Sequence, residues 1–454
     1  KEPLNYSSIG KIHVNTYRIF LERFFELLVG GAHLGIIVPS GIYTDQGCQP
    51  LREFFFDKSD VQFLYCFENR RAIFNIHRSF KFVLFGVRKG GATNRFRCAF
   101  MEHDPERLSM IDRRALQMNL HQVQEFSPDT LSIMEFVNQR EMDTCSTIFS
   151  DTIKLGSFLS DRQTAFQDEF NITHDARLLR PIAERDEAAD IPLFEGKNIW
   201  ILSDRFTEPT NCICSKYVSL KATTSSTRVV YRDITANTNE RTFIVTVIPK
   251  GIPTGNTLGV CPMPDRLALL IAAICGSFVA DWVMRKKITS HASKFIVNQL
   301  PLPNLELSTD RATRLHEILL SRASCLTCIS DSFISIWETC FSPKWTSPGN
   351  WYGPDEDASY GPIHEQQVRN SIQDEAVNFG ARWRLSYAAD ERLHDGRDTG
   401  RRAQLRADID ASVAHLYGLP RGDFDYILDT FPVLKNKEMK AFGEFMSKRK
   451  CLEE

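Results

Sequence analysis

In the first hundred residues the apolar side chains change period in a fixed order, and that order limits the folds open to the chain. Tyr17, Phe20, Phe24, Leu27 and Leu28 share one face of a 3.6-residue repeat, which predicts a helix. Gly30 and Gly31 stop it. Leu34 to Val38 is a short apolar run closed by Pro39, the pattern of a buried strand in a parallel sheet. Leu51 to Phe56 reads as the next helix, and Val61 to Phe67, Phe80 to Val87 and Arg95 to Met101 read as further strands. Helix, strand, helix, strand, strand is an α/β order and predicts the C-terminal half of a doubly wound sheet. A half-sheet has no partner strands on one side, which predicts poor stability alone.

The character of the chain then changes twice. Residues 105 to 190 are polar and read as weakly patterned helices. From about Ile191 the runs become short and β-branched: Tyr217 to Leu220, Arg228 to Tyr231 and Thr242 to Ile248, separated by Gly, Pro, Asn and Ser. A helix over Pro264 to Lys287 packs into this mixed α+β region. Arg311 to Trp337 reads as one long amphipathic helix, with Leu315, Ile318, Leu319, Ile329, Phe333 and Ile336 on its apolar side. Ser342 to Pro362 reads as a long loop. Leu405, Ile409, Val413, Leu416 and Tyr417 form a last stripe, ended by Gly418 and Pro420. The expected segments are therefore 1–105, 106–190, 191–305 and 306–454, the last of them helical.

Composition excludes several classes. Of 454 residues, 43% are hydrophobic and 25% charged, as in ordinary soluble proteins. The 12 cysteines follow no regular spacing, which points to buried thiols in a reducing cytoplasm. Cys325 and Cys328, and Cys212 and Cys214, lack the second pair a zinc site needs. The apolar run Leu267 to Ala280 is shorter than the roughly 20 residues that span a bilayer, so it reads as a buried helix. Net charge is −2, but residues 197 to 300 hold 13 Lys and Arg against 6 Asp and Glu. A basic middle between acidic flanks suits phosphate binding.

The stretch FENRRAIFNIHRSFKF, Phe67 to Phe82, concentrates chemistry at a strand end, where open α/β sheets bind ligands. Arg70, Arg78 and Lys81 are candidates for phosphate contacts there, and Pro39, Ser40 and Gly41 are expected to line the same cleft. In RVVYRDITANTNERT, Arg228, Arg232 and Arg241 stand among Asp233, Asn237, Asn239 and Glu240, residue types that read base edges. A structural or phosphate-contacting role is the favoured reading for Arg232, Asp233 and Arg241, and a buried ion-pair network is its alternative. Lys286, Lys287, Ser290, His291 and Lys294 form a second basic cluster suited to backbone phosphates. The polar stretch Lys216 to Thr227 is the candidate for a variable base-reading surface. Asp190, Glu195 and Lys197 spell a D-x4-E-x-K pattern like that of metal-dependent nucleases, but Pro192 and Gly196 suit the required strand poorly.

These segments, with NTYRIFLERF (Asn15 to Phe24), GGAHLGIIVPSGIYTD (Gly30 to Asp45), PLFEGKNIW (Pro192 to Trp200) and KKITSHASKFIVNQLPLP (Lys286 to Pro303), resemble in their order the adenine-specific DNA methyltransferases of type IIG and BREX-like (PglX-like) restriction-modification systems. The resemblance covers roughly residues 11 to 450. It implies the C-terminal half of a Rossmann-like methyltransferase sheet, followed by a target-recognition domain at 191–305. It implies transfer of a methyl group from S-adenosylmethionine to adenine N6 in duplex DNA. Other restriction or phage-defence subunits would be partners. Phe74 falls where that family stacks an aromatic ring on the flipped base, although Asn75 stands where such motifs often carry Pro. The family's Gly-rich cofactor loop and its Asn-Pro-Pro-aromatic tetrapeptide do not occur in this sequence. The expectation is therefore a C-terminal portion that binds DNA without completing catalysis. A non-catalytic DNA-specificity subunit is the alternative reading, and a cytosolic interaction protein without nucleic acid the third.

Overall fold

The computed structural model describes residues 15–288, 291–306, 309–342, 345 and 400–453. The chain divides into two compact units, residues 1–150 and 151–454. The expected loop Ser342 to Pro362 lies outside the described residues except at Ser342 and Trp345, as does Ser290.

The first unit is a mixed α/β layer. A helix over Thr16–Leu27 buries Leu21 and Phe25 and leads into strand β1, His33–Pro39. The helix Gln49–Lys58 carries Pro50 in its first turn, where the missing N–H costs nothing. Strands β2 (Ser59–Glu68), β3 (Lys81–Lys89), β4 (Arg95–Glu102) and β5 (Leu116–Asn119) complete a sheet of order β1-β3-β2-β4-β5. The expected parallel half-sheet is corrected: β3 lies between β1 and β2 and runs antiparallel to both, and only β2 and β4 pair in parallel. β1 is also not a buried strand. It is an edge whose sole partner among the described strands is β3, so its outward face stays open and Ile37 remains 53% exposed.

Aromatic edges fill the first core. The Phe55 ring meets Phe85 at 5.2 Å and 78°, and Phe25 meets Phe55 at 5.5 Å and 85°. The buried Arg52 guanidinium donates to the Thr130 carbonyl at 3.0 and 2.6 Å and to that of Ile42 at 2.9 Å. Burial brings its pKa down to about 10. Residues 106–190 are not one helical connector. β5 closes the first sheet, while β6 (Thr152–Lys154), β7 (Leu179–Pro181) and β8 (Asp190–Leu193) belong to the second unit.

Among its described residues the second unit holds three small antiparallel sheets. β7 and β8 flank β9 (Asn211–Cys214). β10 (Arg228–Arg232) lies between β11 (Val245–Ile248) and β12 (Leu258–Pro262). β13 (Pro301–Pro303) pairs with β6. Tyr217 to Leu220 is not a strand: the chain leaves β9 at Cys214 and turns through the short helix Ser215–Val218, which drops Val218 into a cluster with Phe170, Leu193 and Ile213.

Both long helices expected from the sequence are broken. Asp265–Cys275 and Phe278–Arg285 meet at a 60° bend. At the bend a Cβ on Gly276 would lie 2.6 Å from Ile201, and the Ser277 hydroxyl accepts from the Ala280 N–H at 3.2 Å to cap the second helix. Asp310–Thr327 and Ile334–Cys340 are likewise separate, and the turn between them carries Phe333 into the core. Gly400–Leu416, Arg421–Asp429, Pro432–Phe442 and Met446–Glu453 follow. Among the described residues no single helix is long and apolar enough to cross a membrane.

Two glycines paired across β1 and β3, Gly35 and Gly86, differ in what they face. A Cβ on Gly86 would lie 2.3 Å from the Phe63 ring, which is itself stacked on Tyr65 at 4.9 Å. A Cβ on Gly35 meets nothing within 4 Å. Gly86→Ala is expected to destabilise the first unit by about 1–3 kcal/mol through overpacking, and Gly35→Ala to change it by less than about 0.5 kcal/mol. Hydrogen exchange of the β2 and β3 amides reads both, and equal protection in the two variants refutes the assignment.

Candidate nucleic-acid interface

The carboxyl end of β2 launches an exposed loop held by one side chain. Asn69 is buried; its Oδ1 accepts from the Phe74 N–H at 3.0 Å, and its Nδ2 donates to the carbonyls of Phe74 at 2.9 Å and Ile76 at 3.1 Å. Its backbone N–H donates to the Phe80 carbonyl at 2.9 Å. Ala72 turns the chain with a left-handed φ of 53°. Residues 70–80 are all exposed, and they present Ile73, Phe74, Ile76 and Phe80. Phe74 sets its ring edge-on to Phe82 at 4.9 Å and 87° and keeps 37% of its surface open. The ring is therefore neither a core residue nor a free one: one side is braced and the rest is available. Sequence reasoning included Asn69 only as part of the stretch Phe67 to Phe82 and missed its role. The available signal was a polar amide at a strand end five residues before an exposed aromatic.

The cations around this loop have different fates. Arg70 pairs with Glu68 at 2.6 Å while staying exposed, and Arg78 is exposed on the loop. Lys81 is corrected as a phosphate contact. Its Nζ lies 2.7 Å from both oxygens of Glu135, and Glu135 also accepts from the Tyr43 hydroxyl at 2.7 Å. Burial and the neighbouring carboxylate raise the Tyr43 pKa well above its usual value, so it stays a donor. Ser40 stands beside Lys81, donating its N–H to the Lys81 carbonyl at 3.3 Å.

In the second unit the three candidate arginines point inward. Arg228 has no exposed side-chain surface; it pairs with the equally buried Glu169 at 3.1 Å and donates to the carbonyls of Pro249 and Ile252. Burial lowers its pKa. Arg232 donates to the carbonyls of Gly196 at 2.6 Å and Ile199 at 2.5 Å, and burial brings its pKa down to about 10. One guanidinium thus fastens PLFEGKNIW to β10. Arg241 pairs with Asp281 at 2.6 Å, donates to the Gly276 carbonyl at 2.8 Å and lies 4.2 Å from the Phe278 ring centroid. Asp281, wholly buried, also accepts from the backbone of Thr242 and Phe243 and pairs with Arg285 at 3.3 Å. Expected DNA contacts at Arg228, Arg232 and Arg241 are therefore corrected: these side chains are committed to the interior, because strand alternation and the helix bend aim them there.

The second basic cluster stays near the surface. Lys286 lies 5.0 Å from the Trp282 ring centroid, Lys287 donates to Gln299 at 2.9 Å, His291 stands 3.2 Å from Asp233, and Lys294 pairs with Asp168 at 2.8 Å. Asp190 and Glu195 do not converge on a metal. Asp190 is buried and accepts from the Asp186 N–H at 3.2 Å, while Glu195 caps the turn at Gly196–Asn198 and pairs with Lys197 at 3.1 Å. No group of three or more His, Cys, Asp or Glu that could hold a metal occurs among the described residues.

Arg228→Met leaves the Glu169 carboxylate buried without its cation, and a loss of about 3–5 kcal/mol is expected. Lys294→Met at the surface should change stability by less than about 1 kcal/mol. All six tryptophans lie in the second unit, so urea unfolding followed by tryptophan fluorescence reads both. Equal midpoints for the two variants contradict the buried-pair assignment.

No protein-family model matches the chain, and no curated protein matches it in sequence. Solved structures give partial likenesses. One is the type IIL restriction-modification enzyme MmeI in complex with DNA, at 8% identity and a TM-score of 0.47, covering 94% of this chain and 54% of that one. A second is the type IIG restriction endonuclease BpuSI, at 12% identity and a TM-score of 0.31, covering 84% and 49%. A third is a type I restriction-modification assembly, at 18% identity and a TM-score of 0.19, covering 27% of each chain. The chain thus spans about half the length of the MmeI and BpuSI chains.

Proposed function

We propose that the chain is a DNA-binding part of a restriction-modification enzyme, and that the whole enzyme transfers a methyl group from S-adenosylmethionine to adenine N6 at a specific duplex site. The observation that carries this reading is the latched loop at the end of β2: Asn69 holds Phe74 outward, with Arg70 and Arg78 exposed beside it. An exposed aromatic flanked by guanidiniums is the equipment for holding a base out of the stack while its phosphates are neutralised. The ordered motifs described above supply the methyl-transfer and adenine parts of the reading. Four basic residues near the surface of the second unit, Lys286, Lys287, His291 and Lys294, suit backbone phosphates.

In this reading the chain supplies stacking and positioning, and the cofactor S-adenosylmethionine supplies the methyl group. Base extrusion costs a few kcal/mol, and stacking on Phe74 offsets about 1–3 kcal/mol of it. The chain should therefore prefer a duplex with one unpaired, extrahelical adenine over the fully paired duplex. Phe74→Ala is expected to abolish that preference while leaving affinity for paired duplex within twofold. Titration of the two duplexes by fluorescence anisotropy tests this. An unchanged preference in Phe74→Ala removes the stacking role, and no binding of either duplex at low salt removes the DNA reading.

A further inference from the structure

A second feature of the first unit lies where the one parallel strand pair among its described residues ends. β2 closes at Glu68 and β4 at Glu102, so the carboxyl ends of parallel strands meet there, the usual ligand position in open sheets. Beside them is a cavity of about 340 Å³, lined by Arg71, Arg107, Arg114, His103 and the last residues of β4. The register between β2 and β4 slips at this point, and Met101, in the lining, takes a left-handed φ of 56°. Strain and bulges of this kind gather at functional sites.

The charges are layered. Asp104 holds two guanidiniums, Arg71 at 3.0 Å and Arg107 at 3.9 Å, and Glu102 holds Arg114 at 3.2 Å. The carboxylates lie below, at 21% and 10% exposure, while Arg71, Arg107 and Arg114 are 55%, 64% and 49% exposed. Two acids therefore orient three guanidiniums toward solvent. Each guanidinium carries five N–H donors in a rigid fork, and one or two bonds to a carboxylate leave the others free. The net result is a cationic rim over a cavity large enough for a phosphate and its sugar. Arg70 repeats the pattern over Glu68 at 2.6 Å, and the His103 Nε2 lies 2.9 Å from the same carboxylate.

We propose that this rim is a phosphodiester-binding site for the DNA backbone, with Arg107 and Arg114 as its principal ligands and Arg71 linking it to the Phe74 loop. The proposal rests on the DNA-binding reading and adds to it a site beside the Phe74 loop, separate from the basic cluster of the second unit. A bidentate guanidinium–phosphate contact carries no sequence information and fixes register instead. The rim would hold the backbone near the flipped nucleotide while the aromatic ring holds the base.

The test is the salt dependence of the whole chain's affinity for a 30-base-pair duplex. Each neutralised phosphate contributes about −0.9 to the slope of log K against log salt. Arg107→Gln/Arg114→Gln should make the slope shallower by about 2 and lower affinity at low salt at least tenfold. Should the double variant fail to fold, Arg107→Gln alone keeps Asp104 paired with Arg71 and should make the slope shallower by about 1. Arg107→Lys/Arg114→Lys keeps the charge and should keep the slope while weakening affinity through loss of the fork. A wild-type slope in folded Gln variants overturns the site and leaves the DNA reading intact; no salt-sensitive binding by the wild type overturns both. Inorganic pyrophosphate binding as tightly as the duplex would make the ligand a soluble anion and overturn the backbone assignment.

Discussion

Asp281 has no contact with water and gathers two arginines and two backbone N–H groups around its carboxylate. It lies in the first turn after the 60° bend between the two apolar helices, where Arg241 and the backbone of Thr242 and Phe243 donate to it. A buried carboxylate without partners would cost several kcal/mol, so the surrounding donors have little freedom to move. Arg241 in turn donates to the Gly276 carbonyl at the bend itself, and Arg285 to the carbonyls of Asn239 and Glu240. The charge, the bend and the loop between β10 and β11 therefore define one another.

The same logic appears in smaller form across the chain. Arg228 ties β10 to Glu169 and to the loop after β11, Arg232 ties it to the turn at Gly196, and Arg52 ties the first unit's helix to the Thr130 segment. Each guanidinium meets two main-chain carbonyls. Arginine is suited to this because its fork reaches two acceptors at once and keeps its charge even when burial lowers the pKa. The proposed DNA-facing groups are built oppositely: their acids lie beneath and their guanidiniums above.

Strands β1 to β4 were legible to within two residues because a core face imposes its period on the sequence, whatever the pairing. The pairing itself was not legible. An apolar run such as Leu34 to Val38 looks the same in a parallel sheet and at an antiparallel edge. The helix breaks were hidden because apolar period continues across Gly276 and across Cys328, and only the packing of Ile201 and Phe333 shows why the chain must turn. Charge counting overstated the surface charge of this region for a physical reason. Arg228, Arg232, Arg241 and Arg285 contribute to the basic excess of residues 197 to 300, yet all four are largely enclosed and bonded to the interior. A sum over sequence counts these as if solvent saw them. Phe74 was singled out only through the family resemblance, whereas its exposure, its brace on Phe82 and the amide that holds its loop needed coordinates.

Asn69 moves an entropic cost from one moment to another. A free eleven-residue loop would lose about 1–2 kcal/mol of backbone entropy for each residue it fixed on meeting a partner. Here one buried amide and one main-chain bond have already fixed the middle and the closing end of the loop. That ordering happens once, as the chain folds, and is not repeated at each encounter. In the proposed DNA-binding role the loop would meet its partner already in its final shape, and the pace of the encounter would be left to the opening of the duplex.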